Sequence, residues 1–116
     1  MMNKWIGIGN LGADPEIKLS ASGTKLAKLR LAVDEYFSRK AEDGSKVANK
    51  TTHWVPIIAW GKNAETAETY LQKGSRIAVE GSLRTRTWTD DKGQSHFVME
   101  VHADQLTFLD KIRSVG

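Results

Sequence analysis

Apolar and polar side chains alternate with a period of two along this chain, and the alternation is broken at short intervals by glycine and small polar residues. From Ala27 to Val33 the odd positions Ala27, Leu29, Leu31 and Val33 are apolar and Lys28 and Arg30 intervene, the period of a strand with one buried face. The opposite face is wet and basic. From Arg76 to Trp88 the odd positions Ile77, Val79 and Leu83 are apolar, and Arg76, Glu80, Ser82, Arg84, Arg86 and Trp88 share the other face. Turn-forming clusters lie at Asn10 to Pro15, Ser20 to Gly23, Ala41 to Asn49, Gly74-Ser75 and Asp90 to Gln94, punctuation that reads as many strands joined by turns. One segment breaks the pattern. Lys62 to Lys73 carries Ala64, Ala67 and Leu71 at helical spacing, with Gly74 placed to end the helix. Glu100-Val101 and Leu106 to Leu109 supply closing strands. The expected fold is all-β with one short helix. A small closed five-stranded barrel such as the OB-fold suits this order better than an open sheet, whose edges would need covering.

A chain of 116 residues makes one domain and buries roughly two-thirds of its unfolded surface. A separate substrate domain is not expected. Seventeen Lys and Arg against fourteen Asp and Glu give a formal charge of +3, a modest bias toward anionic partners such as nucleic acid. Cysteine is absent, which excludes disulfides, thiolate metal sites and cysteine nucleophiles and suits a reducing compartment. There is neither a membrane-length apolar run nor a basic-then-apolar leader pattern. A cytoplasmic location is the default expectation.

The stretch Ile6-Gly7-Ile8-Gly9-Asn10-Leu11-Gly12 has the G-x-G-x-x-G spacing of a dinucleotide-binding turn. Such a turn needs a helix whose N-terminus meets the pyrophosphate. Here Ala13-Asp14-Pro15 follows, and a helix starting near Gly9 would carry Pro15 in its interior at a cost of about 3 kcal/mol. Glu16 to Leu19 alternates like a strand, and Lys25 to Val33 leaves no crossover helix before the acidic Asp34 and Glu35. The glycines therefore read as places where the first strand bends or another backbone approaches, with Asn10 and Gly12 turning the chain.

Four tryptophans are present, and their neighbours are polar. Core filling is the ordinary use of an indole, but parity argues against it for three. Trp54 and Trp60 share a strand face with Pro56 and Ile58, opposite Val55, Ile57 and Ala59. Trp88 has the parity of Arg84 and Arg86, which are expensive to bury. Exposed aromatics among Arg and Lys suit unpaired bases, because each base offers a π-face and each linkage a phosphate. The short helix, with Asn63, Glu65, Thr66 and Glu68, is poorly suited to a major groove.

The blocks "NKWIGIGNLGADPEIK", "SG" at Ser22-Gly23, "LA" at Leu31-Ala32, "WGKNAETAETYLQKGS" and "VEGSLRTRTWTDDKGQ" together resemble the bacterial single-stranded DNA-binding protein family over roughly residues 2 to 103. The resemblance implies an OB-fold that assembles, usually as a homotetramer, and wraps single-stranded DNA in replication, recombination and repair. It implies stacking aromatics at Phe37, Trp54, Trp60 and Trp88, with Tyr36 competing for the place of Phe37. It implies basic DNA contacts at Lys4, Lys62, Lys73, Arg84 and Arg86. Several positions depart from the family pattern. Phe37 stands for a usual tryptophan and Trp60 for a usual phenylalanine. Val55-Pro56 replaces a common His-Arg pair, which weakens the expectation of a tetramer against a dimer. Thr87 replaces a lysine, and Trp5 stands where an aliphatic residue is usual and reads as packing or subunit contact, with an extra stacking platform as the alternative. Pro56 cannot donate to a ladder, so its strand should be at an edge or bulged there.

The expected domain covers residues 1–110, with 111–116 as a short C-terminal end. The family usually continues into a flexible linker and an acidic tip that recruits other enzymes. The ending at Lys111 to Gly116 fits either a short form without that tip, as in a phage- or plasmid-encoded relative, or a truncated product. Catalysis, metals and cofactors are not expected. His53, His96 and His102 are too scattered for a metal pair, Glu100 and His102 read as a solvated edge, no P-loop is present, and Asp90-Asp91 suits a hairpin tip. The competing expectation is an OB-fold primosomal accessory or protein-interaction module that binds DNA weakly. A saccharide-binding barrel would have no need of Arg84 and Arg86 beside Trp88.

Overall fold

Alternation becomes strand wherever it was read. Trp5–Leu11 forms β1, Glu16–Leu19 forms β2, Lys25–Lys40 forms β3 and Lys46–Trp60 forms β4. The helix α1 spans Lys62–Tyr70, and Arg76–Thr89 and Ser95–Phe108 form β5 and β6. The structure, a computed structural model, describes residues 1–110. The expected C-terminal end at 111–116 lies outside the described residues.

Neighbouring strands run β1-β5-β6-β4-β3, and β3 pairs back onto β1 through Asn10↔Ala32 and Leu11↔Leu31. That last pairing closes a five-stranded barrel. The short β2 lies outside the ring as a hairpin partner of β3, from Glu16↔Lys28 to Leu19↔Lys25. Every pairing is antiparallel except β4–β6, at Ile57↔Val101 and Ile58↔His102. This is the OB-fold, a Greek-key barrel of five strands.

The opening glycine motif serves barrel closure. A Cβ on Gly9 would collide with the backbone carbonyl of Ala32, so a glycine lets β3 come close enough to pair with β1. Gly12 N–H then donates to Arg30 O, and Leu11 O accepts from Gly74 N–H.

The core follows the apolar parity: Leu31, Ile57, Ile77, Val79 and Val101 are fully buried. The helix lays Ala64 and Ala67, three positions apart, against this cluster. Four expectations are corrected. The helix ends at Tyr70 rather than Lys73, because Leu71 turns extended (φ −100°, ψ 145°) and the N–H of Gly74 goes to β1 instead of a helical carbonyl. The two closing segments are one strand, β6. Leu83 has core parity but is exposed, since β1 stops pairing with β5 at Trp5↔Gly81 and covers nothing beyond it. Glu100 and His102 do not form a solvated edge; β6 runs between β5 and β4, and Glu100 is buried.

Three hairpin loops share one design, at Ser20 to Thr24, Ala41 to Ser45 and Asp90 to Gln94. In each, the first residue donates its N–H to the fifth carbonyl and accepts from the N–H of a glycine at the fourth position. Those glycines have φ of +84°, +85° and +79°, as the left-handed residue after a type I turn requires. The second and third loops cap long ribbons: β3 and β4 pair without a register shift out to Lys40↔Lys46, and β5 and β6, after one shift between Glu80 and Gly81, pair out to Thr89↔Ser95. Both ribbons project from the barrel, and the radius of gyration is 17.6 Å against about 13 Å for a compact chain of this length.

Candidate nucleic-acid interface

Register brings the polar parities of four strands onto one sheet face. Arg30 on β3 is opposite Pro56 on β4, Lys28 is opposite Ile58, and Ile58 neighbours His102 on β6. On the other side of β6, Arg84 pairs with Glu100, Arg86 with Val98 and Trp88 with His96. Trp54, Trp60, Arg84, Arg86 and Trp88, read as one constellation from separate segments, are thus carried on one surface. The indoles of Trp54, Trp60 and Trp88 are 51%, 43% and 45% exposed. A core indole would be covered, whereas these three keep about half of their surface in contact with water.

An open groove of about 290 Å³ crosses the face. Pro56, Ile58 and Val98 give it apolar lining, and Lys28, Arg30 and Arg86 share the rest with the carboxylates of Asp14, Glu16 and Glu100. Ile58 is buried despite its outward parity, and it shares the groove lining with Ala13 and Asp14 of the β1–β2 connection. Pro56 is one residue before the β4–β6 pairing begins at Ile57, so its missing N–H falls where β4 has β3 alone as neighbour. The guanidinium of Arg30 is 4.8 Å from the Trp54 ring centroid, within cation–π range. The same indole lies over Gly12, where a Cβ would strike the ring.

Glu100 is the one buried charged residue among those described. Its Oε1 accepts from Arg86 Nε at 3.3 Å and from His102 Nε2 at 3.2 Å. The imidazole of His102 is 6.5 Å from the Trp60 ring in a tilted arrangement. One carboxylate therefore ties β5 and β6 together and, through His102, reaches the aromatic at the end of β4. Half of the Arg86 side chain remains exposed, so its guanidinium can meet a phosphate while Nε stays anchored. At the ribbon tip, Asp90 is held below the usual carboxylate range, first by the His96 hydrogen bond and then by the N–H groups of Gln94 and Lys92.

The remaining predicted residues are more dispersed. Lys62 is exposed at the start of α1, directly after Trp60-Gly61. Lys73 follows the helix, its N–H donating to Asp14 Oδ1 at 2.8 Å, and Asp14 lines the groove. Lys4 is exposed just before β1, next to Asn3, which clips to the backbone of Leu83 through two hydrogen bonds. Phe37 is exposed on the β3–β4 ribbon, opposite Asn49. By strand parity Tyr36, opposite Lys50, shares the face of Trp54, and Phe37 has the other. Trp5 is half-buried and packs against the core. Arg30, His96, Glu100 and His102 are not among the site residues expected from the sequence. Arg30 had a signal, its place on the basic face of β3; the other three become visible only through cross-strand register.

Among the described residues, no group of three or more His, Cys, Asp and Glu side chains could hold a metal ion. No helix is long and apolar enough to cross a membrane.

Fold and surface together define an OB-fold with an aromatic and basic binding face. The single-strand binding protein family model matches residues 2–109, and the chain belongs to that family. Among solved structures it is similar to the one described as Plasmodium falciparum SSB complex with ssDNA, with 31% identity, a TM-score of 0.83 and coverage of 95% of this chain and 97% of that one.

Proposed function

We propose that this protein binds single-stranded DNA without sequence preference, stacking bases on Trp54, Trp60 and Trp88 and meeting phosphates with Arg30, Arg84 and Arg86. The observation that carries this reading is the register that puts three half-exposed indoles and three arginines on one face. Stacking tolerates any base and is worth about 1–3 kcal/mol per base. Phosphate neutralisation adds affinity that falls as salt rises. Tyr36 extends the path along the Trp54 face of the β3–β4 ribbon, Phe37 stacks a base where the strand wraps onto the ribbon's other face, and Lys4, Lys62 and Lys73 supply further phosphate contacts at the margins. The role is one of binding and protection in DNA replication, recombination and repair, without a reaction. A cytoplasmic location is part of the same proposal, since the partner is DNA being copied or repaired.

Self-association belongs to the proposal too, as a homotetramer or a dimer. It is supported by the open side of β1, where Trp5 to Gly9 pair with β5 alone and Ile6 and Ile8 are 61% and 50% exposed. An apolar strand edge of this kind favours pairing with another chain.

Titration with oligo-dT and with duplex DNA at two salt concentrations, followed by tryptophan fluorescence, tests the binding. Strong quenching by oligo-dT, weak quenching by duplex and loss of affinity at the higher salt are expected. Unchanged fluorescence with oligo-dT at low salt, in a protein that is otherwise folded, would rule the reading out.

A further inference from the structure

The β5–β6 ribbon ends in a stack that base binding by itself does not call for. Trp88 and His96 are cross-strand partners, and their rings lie 4.3 Å apart with an 18° interplanar angle. Contact at that distance and angle is face to face. The imidazole is pinned in turn, because His96 Nε2 is 2.8 Å from Asp90 Oδ2. An ionised carboxylate only accepts, so the ring nitrogen donates. Asp90 cannot swing away, since its Oδ1 accepts from the backbone N–H groups of Lys92 and Gln94 at 2.9 Å each. Those bonds form the hairpin tip itself. A chain of contacts therefore runs from the turn backbone through Asp90 and His96 to one face of the indole.

We infer that His96, anchored by Asp90, is a positioning residue that covers one face of Trp88 and leaves the other face to a single nucleobase. The inference rests on the proposed binding of single-stranded DNA. An indole on a two-stranded ribbon, left to itself, samples several rotamers and must be immobilised when a base arrives. With one face already stacked, that ordering is complete before binding. The indole then offers one stacking place rather than two, so a base cannot intercalate between Trp88 and the ribbon. Trp54 has a different support, Arg30 and Gly12, and should not respond to changes at His96.

The test compares His96→Ala, His96→Phe, Trp88→Ala and the double variant Trp88→Ala/His96→Ala in oligo-dT titrations. Circular dichroism and thermal melting establish that each variant is folded. His96→Ala is expected to weaken binding about 2- to 10-fold, the range of an aromatic pair, and His96→Phe to restore most of it. In the Trp88→Ala background, His96→Ala should have no further effect, because the residue acts through the indole. In the free protein, NMR should show proximity between the His96 ring protons and the Trp88 ring, a readout that involves no DNA. Parental affinity in His96→Ala would overturn the inference, as would an additive loss in the double variant, failure of His96→Phe to rescue, or absence of the ring contact. If the parent does not bind oligo-dT, the proposed function fails first and takes this role with it. If the parent binds and Trp88→Ala weakens it but His96→Ala does not, the positioning role alone fails.

Discussion

Trp54 and Trp88 are supported differently, one by a guanidinium and a glycine and the other by an imidazole, yet each offers about half of its surface to solvent. Replacing either with alanine is expected to cost about 1–3 kcal/mol of affinity for oligo-dT, read by competition titration, with melting temperature nearly unchanged. Arg86→Ala removes a cation whose anchor, Glu100, remains buried. The slope of log K against log salt should become shallower by about 0.7, the share of one phosphate on a single strand. At this scale the sequence was informative where parity within one strand decides exposure, as for Trp54, Trp88, Arg84 and Arg86. It was silent where the decisive neighbour is on another strand. Glu100 lies fourteen residues from Arg86, and only the β5–β6 register makes one the anchor of the other.

Elements were legible in kind and blurred at their ends. The helix was found from Ala64 and Ala67, but its last residues were overrun because Leu71 is apolar at helical spacing and still breaks away. The glycine motif was read as strand rather than phosphate cradle because of Pro15, and closure at Ala32 gives the reason a glycine is needed there. Gly9→Ala should be strongly destabilising in chemical denaturation, since the obstructing atoms are backbone and cannot rotate aside. Gly93→Ala forces a side chain onto a φ of +79° and should cost about 1 kcal/mol. The hairpin tips also carry a pH dependence. Asp90 titrates below its ordinary value in the folded chain, so its contribution is present above the unfolded value near 3.9 and is lost as pH falls through the folded one. Melting from pH 6 down to pH 2 should therefore show Asp90→Asn losing less stability on acidification than the parent. Lys25, raised first by the hydrogen bond its ammonium donates to Glu68, acts in the opposite direction: its contribution holds below about 10.5 and fades as pH rises through the folded value.

The whole molecule is a small barrel with two ribbons that bury little of their own surface. Isolated two-stranded hairpins are marginal in water, so these ribbons gain from something laid against them, as the proposed single-stranded DNA would be. Sedimentation at several concentrations should show an assembly larger than one chain, and Ile6→Glu with Ile8→Glu should shift it toward the monomer. Barrel closure and the single helix were legible because local alternation, one break in it and turn chemistry limit the topologies. The length of the ribbons was not, because exposed strand continues with the same period as buried strand and only the partner's register shows where the barrel ends. Single-stranded DNA is proposed to run across the Trp54, Trp60 and Trp88 face. Photo-crosslinking with oligo-dT carrying 5-iododeoxyuridine, followed by mass spectrometry of the joined peptides, tests it most directly. Cross-links at Trp54, Trp60 and Trp88 are expected, and cross-links confined to the Ile6 and Ile8 side of β1 would contradict it.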